Sequence, residues 1–238
     1  MIAFLKTIIY IPLYNILVLI LNVSWIDAGL ATIILVVLVK IILYPLSKKA
    51  TVTQVRMKEK EGELAAIKEK YKDKQEQAVK TMEFYKTNKI NPFSSMLTVL
   101  LQLPVIFSLS YIFYKSGLPS IDTSLLYSFV KVPASVSMIF LGFIDISKKS
   151  IVLAILAAVS SFFQMHLATP PSKKSLPNQT QDLSSMMTKQ MKYTMPVIVF
   201  FISWQISAIV ALYWLVSNLV GIAQEAYIRR KLKVIPQS

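Results

Sequence analysis

The chain has no cysteine, which removes disulfides, thiol catalysis and thiolate-ligated metals at once. It has one histidine, His166 in SFFQMHLAT, near the end of an apolar run, where an interfacial position accounts for it better than metal ligation. Acidic residues are scarce, 12 Asp and Glu against 26 Lys and Arg, and none falls in the middle of a long apolar run. The mid-membrane acid or broken helix on which proton- and cation-coupled transporters usually depend is therefore not visible. The N-terminal MIAFLKTIIYIPLYNILVLILN has the basic residue and apolar core of a signal peptide, but the following VSWIDAG offers no small-x-small cleavage site. That segment is expected to stay attached.

What the chain has in abundance is apolar surface. Of its 238 residues 55% are hydrophobic, and the mean hydropathy is +0.56, which points to a single all-α, polytopic membrane domain. The formal charge of +14 could suggest nucleic acid, but the basic residues cluster in a few segments between the apolar stretches, as topology signals do. Membrane lipids are the expected partner of that charge, and no specific nucleic acid is.

Residues 29–46, GLATIILVVLVKIILYPL, make a first span, about 18 residues, just long enough at about 1.5 Å per residue for a hydrocarbon core of about 30 Å. Residues 47–90 then carry 12 Lys or Arg and 7 Asp or Glu. Leu64, Ile67 and Tyr71, then Ala78, Met82 and Tyr85, recur there at helical spacing, predicting a helical hairpin that turns near Lys72 to Gln75. Asn91-Pro92 is a helix start, and residues 93–115 form a second span. Residues 116–149 read as an external loop in which Ala134 to Ile144, too short to cross, is an interfacial or half-inserted piece. Residues 150–168 are span three, and 169–192 a polar loop.

Basic residues flank the last apolar stretch at both ends, Lys189 and Lys192 before it and Arg229, Arg230, Lys231 and Lys233 after it. Both ends then belong on the cytoplasmic side, and the number of crossings between them is even. A single helix from Tyr193 to Ile228 would be about 54 Å long, so the stretch divides into spans 193–206 and 208–228, folding back near Gln205 to Ala208. Two such short helices imply a locally thinned bilayer or polar groups at the turn. The hairpin, the 169–192 loop and the tail 229–238 hold 20 Lys or Arg, against five on the other side (Lys6, Lys115, Lys131, Lys148 and Lys149), which orients hairpin and C-terminus to the cytoplasm. In the N-terminal segment 1–28, the run Thr7 to Leu21 is short and contains Pro12, favouring an amphipathic helix on the outer surface, with the N-terminus outside, over a sixth span.

Each confident span carries polar side chains on one face. In span two these are Ser94, Thr98 and Gln102; in span three Ser160 or Ser161 with Gln164; in the last span Tyr213 with Ser217 and Trp214 with Asn218. Helix-helix glue explains any one of them. Lys40 tips the set towards function: it lies about 12 Å along the helix from Lys48, and a lysine stem of about 6 Å covers only part of that distance. A water-filled, polar-lined cavity open to the cytoplasm would keep its charge hydrated. A small-solute channel or transporter with a hydrated cationic cavity is the alternative reading. A Ser-Lys hydrolase is formally possible, but no local motif singles out one serine.

The order and spacing of these pieces resemble the YidC/Oxa/Alb family of membrane protein insertases. The resemblance runs from about Leu13 to Arg230: the charged hairpin after IILYPLSKKA, then NPFSSMLTVLLQLPVIFSLSYIFY, FFQ at the end of span three, and MPVIVFF followed by ALYWLVSNLVGIAQEAYI. It implies five transmembrane helices around a hydrophilic groove, open to cytoplasm and lipid, closed outside and holding a positive residue, in a bacterial cell (inner) membrane. Groove residues would be Lys40, Thr98, Gln102, Gln164, Tyr213, Trp214, Ser217 and Asn218. Nascent membrane proteins would be the substrates, drawn in by their polar tails while their helices slide out against a lipid-facing surface, with no cofactor and no ATP hydrolysis by the protein itself. The hairpin would be a mobile element that receives substrate. Whether the Sec translocon is a partner stays open, and the short tail implies at most weak ribosome contact. Two departures stand out: the residue matching Lys40 is typically arginine, and Gln205-Ile206-Ser207-Ala208 replaces a Pro-Gly type of break.

Overall fold

A computed structural model describes residues 5–91, 105–113, 118–168 and 183–234. Nearly all of the regular structure among them is helical. A π-helical turn, Lys6–Tyr10, runs into α1 (Ile11–Leu21), with Pro12 in the first turn, where its missing N–H costs nothing. Asp27 caps α2 (Ala28–Ile42), its Oδ1 accepting from the Gly29 and Leu30 amides at 2.7 and 2.9 Å. The chain continues as α3 (Tyr44–Glu59), but the axis turns by 60° at Leu43, short of the Leu46 expected to end the first span. Pro45 is the local cause, because it offers no N–H to the preceding turn.

The charged region folds as α4 (Glu61–Lys70) and α5 (Lys74–Thr87), turning at residues 71–73 because Asp73 caps α5 through Gln75 and Glu76. The expected apolar stripe is only partly buried: Ala78 and Met82 are exposed, while Gln77 turns inward and donates to the Tyr71 carbonyl at 3.0 Å. Closing the end of α4 with an amide outweighs burying two modest apolar groups.

Residues 105–113 form α6, a fragment of the second expected span; the rest of that span lies outside the described residues. The segment expected to be interfacial folds as a two-stranded antiparallel hairpin, β1 (Ile139–Phe140) and β2 (Ile144–Asp145), pairing Phe140 with Ile144. After it, the Ser147 hydroxyl, then Lys148, holds the Asp145 carboxyl below the usual carboxylate range, which keeps this turn intact on mild acidification.

Three helices complete the chain: α7 (Ile151–Ala168), α8 (Leu183–Gln205, with Pro196 inside) and α9 (Ala208–Val234). The break between α8 and α9 falls at Ile206 and Ser207, inside the expected turn. Among the described residues, α7 and the Ala208–Leu232 part of α9 are long and apolar enough to cross a membrane, and the bent α2–α3 pair meets the same test if it is one span. α7 packs between α8 and α9, and α9 packs on its other side against α2 and α3.

The main core joins Tyr10, Tyr14, Leu17 and Val18 of α1 to Leu35 and Val36 of α2, Leu109 and Ile112 of α6, and Ile209 to Trp214 of α9. Tyr10 stacks on Tyr14 and meets the Tyr111 ring edge-on at 5.2 Å. Although its buried face is largely apolar, α1 is stitched to the 118–133 loop by three polar side chains. Asn15 donates to the Leu125 carbonyl and accepts from the Tyr127 amide at 2.8 and 2.7 Å; Asn22 donates to the Lys131 carbonyl; the Tyr14 hydroxyl accepts from the Asp122 amide. These bonds satisfy loop backbone groups that would otherwise be buried without partners.

Candidate functional site

Two faces of α9 carry the polar side chains singled out in the sequence. On the α2 side, Lys40, Tyr213 and Ser217 line one small recess, together with Val36, Val39, Leu43 and Val105. The recess lies at the bent end of α2, where Lys40 stands in the last turn before the bend at Leu43. Gln224 holds that bend: its Nε2 donates to the Lys40 carbonyl at 2.9 Å, supplying a donor where the helical ladder is interrupted.

Tyr213 also lines a second small space, with Ile106, Leu109, Ser110, Phe113, Ile209 and Val210. One buried ring thus stands between a recess holding a lysine and an almost wholly apolar one nearer the start of α9.

On the α7 side the polar groups close on one another. Ala154, Ala157, Ser160 and Ser161 are buried, and their small size lets α7 and α9 approach closely. Asn218 donates to the Ser160 hydroxyl at 2.9 Å and to the Ala157 carbonyl at 3.3 Å, and Ser160 itself donates to the Ala157 carbonyl. Gln164 lies over Gly221, where an added Cβ would sit 2.5 Å from its Nε2. Further along α9, Glu225, also buried, accepts two bonds from Arg229, at 3.0 Å from Nε and 2.7 Å from Nη2.

The eight sequence-predicted residues therefore separate. Lys40, Tyr213 and Ser217 share the recess; Asn218 faces α7, and Gln164 on α7 lies over Gly221 of α9; Trp214 is buried outside the recess lining; Thr98 and Gln102 lie outside the described residues. Gln224 was not foreseen, although it stands seven residues after Ser217 and so on the same helical face. Among the described residues, no group of three or more His, Cys, Asp or Glu could hold a metal.

An almost wholly helical chain with apolar helices long enough to cross a membrane fits the class of integral membrane proteins. The profile of the family described as 60Kd inner membrane protein matches residues 19–235, and the chain belongs to that family. It is 33% identical over 204 residues to the membrane protein insertase YidC of Fusobacterium nucleatum, covering 85% of this chain and 86% of that protein. It is 32% identical to the YidC of Pseudomonas fluorescens Pf-5 and 33% identical to that of Burkholderia cenocepacia HI2424, in each case over 86% of this chain. The matched region spans about a third of those two longer relatives, 32% and 33% of their lengths.

Proposed function

We propose that this chain is a membrane protein insertase whose recess beside Lys40 receives the polar tail of a nascent membrane protein. The supporting observation is that Lys40, Tyr213 and Ser217 line one recess in a chain that belongs to this family. In this reading five helices, 29–46, 93–115, 150–168, 193–206 and 208–228, cross the bilayer. The 47–90 hairpin and the tail lie in the cytoplasm, and the N-terminal helix lies on the outer surface. A hydrated cation part-way across the bilayer lowers the cost of bringing a polar or acidic segment to that depth, and the substrate's own apolar helix supplies the drive to leave sideways into lipid. No ATP hydrolysis by the chain is needed for such a step. The hairpin receives substrate, and the basic residues after Ile228 make at most weak electrostatic contact with ribosomes.

Photo-crosslinkers at Leu43, Tyr213 and Gln102, in cells translating a membrane protein with a short polar tail, should capture that nascent chain, and one at Lys131 in the outer loop should not. Loss of crosslinks from all three positions, accompanied by solute flux in proteoliposomes, would replace this reading with a channel.

A further inference from the structure

The β1–β2 hairpin plays no part in the recess, yet it is fastened to the ends of two helices. The Ala28 amide, at the start of α2, donates to the Ser137 carbonyl at 2.9 Å, and Asp27 Oδ2 accepts from the Leu141 amide at 3.3 Å. At the start of α9, the Ala208 and Ile209 amides donate to the Lys148 and Ile146 carbonyls at 2.7 and 3.2 Å. These amides are the orphan donors of a helix end, so the hairpin acts as a cap for α9 as well as a neighbour of α2. The Phe140 ring covers Gly29 so closely that no side chain fits there. α7 begins at Ile151, only a few residues past β2. The hairpin is thus held at one level, where three apolar helices start.

Its tip points apolar groups away from all of them. Leu141 is 55% and Phe143 74% exposed, and Ile139 on the outer face of β1 is exposed too. The turn is built with positive φ at both central residues, 52° at Leu141 and 83° at Gly142. Asn or Asp is the usual non-glycine residue there, since leucine in that conformation is strained. An exposed leucine held in a strained turn beside an exposed phenylalanine is a poor arrangement for water. At the same end of the molecule Trp25 and Phe129 are also exposed, and Lys148 and Lys149 stand at the base of the hairpin. Aromatic and apolar groups next to lysines, at the level where spans begin, match the chemistry of the membrane–water interface.

We propose that the tip Leu141-Gly142-Phe143 is a membrane anchor, seated at the headgroup–acyl boundary of the outer leaflet. This rests on the reading that α2, α7 and α9 enter the bilayer from the outside. The anchor fixes the depth of α9's first turn, and with it the depth of Tyr213 and Lys40.

The cysteine-free chain allows a direct test. Single-cysteine forms of the full-length protein, Phe143→Cys, Ile139→Cys, Lys131→Cys and Gly62→Cys, are labelled with an environment-sensitive fluorophore and reconstituted in phosphatidylethanolamine–phosphatidylglycerol vesicles. Labels at 143 and 139 should be quenched by nitroxide lipids labelled near the headgroup and several-fold less by added iodide than the label at 131, which lies on the same side and should be spared by the nitroxide lipids. Ile139→Cys leaves the tip intact, so its result stands even if Phe143→Cys loosens the turn. Iodide quenching at 143 and 139 equal to that at 131, or protection from both quenchers as in a protein–protein contact, would overturn the anchor. The topology is checked separately: an impermeant maleimide added to intact cells should reach 131 and not 62, and failure there would strike the crossing reading itself.

Discussion

The two sides of α9 use the same kinds of residue for opposite purposes. Facing α7, serine, asparagine and alanine close on each other: Asn218, Ser160 and the Ala157 carbonyl satisfy one another, and small side chains leave no space. Facing α2, a tyrosine and a serine stand beside a lysine around a small recess, and the bond from Gln224 to the Lys40 carbonyl holds backbone rather than filling the space. A polar residue in a membrane helix is therefore glue or lining according to what packs opposite it. The bend of α2 at Leu43 borders this second side.

The largest expected effect falls on the open side. Lys40→Leu should lower insertion of substrates with acidic external tails several-fold in depleted cells, while Lys40→Arg supports it, since either cation can stabilise an acidic segment at that depth. Equal activity of Lys40→Leu on such substrates would remove the lysine from the mechanism.

Next come two substitutions of similar thermodynamic size and different consequence. Asn218→Ala breaks the seam and should lower stability in detergent by ~1 kcal/mol, with any loss of insertion no greater than the loss of folded protein explains. Gln224→Leu removes the donor to the Lys40 carbonyl and should also cost ~1 kcal/mol. Because it frees the bend, insertion should fall further than stability does. Chemical denaturation and protease-protected insertion, measured on both variants, compare the two sides directly.

The smallest effect is expected from Gly221→Ala. The new methyl meets only the end of Gln164, a flexible side chain that can move aside, and alanine favours the helix, so the net change should stay within ~0.5 kcal/mol by thermal melting. Gly29→Ala offers the contrast at the hairpin. There the obstacle is the Phe140 ring, fixed by its own strand, and a loss of ~1–3 kcal/mol is expected.

Much of this was legible in the chain itself. The long apolar runs, the charged hairpin and the break near Gln205 follow from hydropathy and helix length, which are local properties. The turn at residues 71–73 was nearly so, misplaced by a residue or two because Asp73 is a capping side chain among many charges. Ala78 and Met82 were misread because periodicity cannot see that Gln77 finds a carbonyl to bind. The segment Ala134 to Ile144 was read as an interfacial or half-inserted piece without its hairpin, since the strands are two residues each and carry no alternation to detect.

Composition and order alone determined that the chain is a helical membrane protein, and they predict that its basic segments share one side and that one lysine falls within a span. Those expectations depend on the cost of charge in hydrocarbon and on the reach of a helix. Which polar residues meet was decided only by the tertiary structure. Helical spacing puts Tyr213, Ser217, Asn218 and Gln224 on α9 without saying what lies opposite, and only the packing of α2 and α7 on its two sides separates the residues beside Lys40 from those that seal a seam.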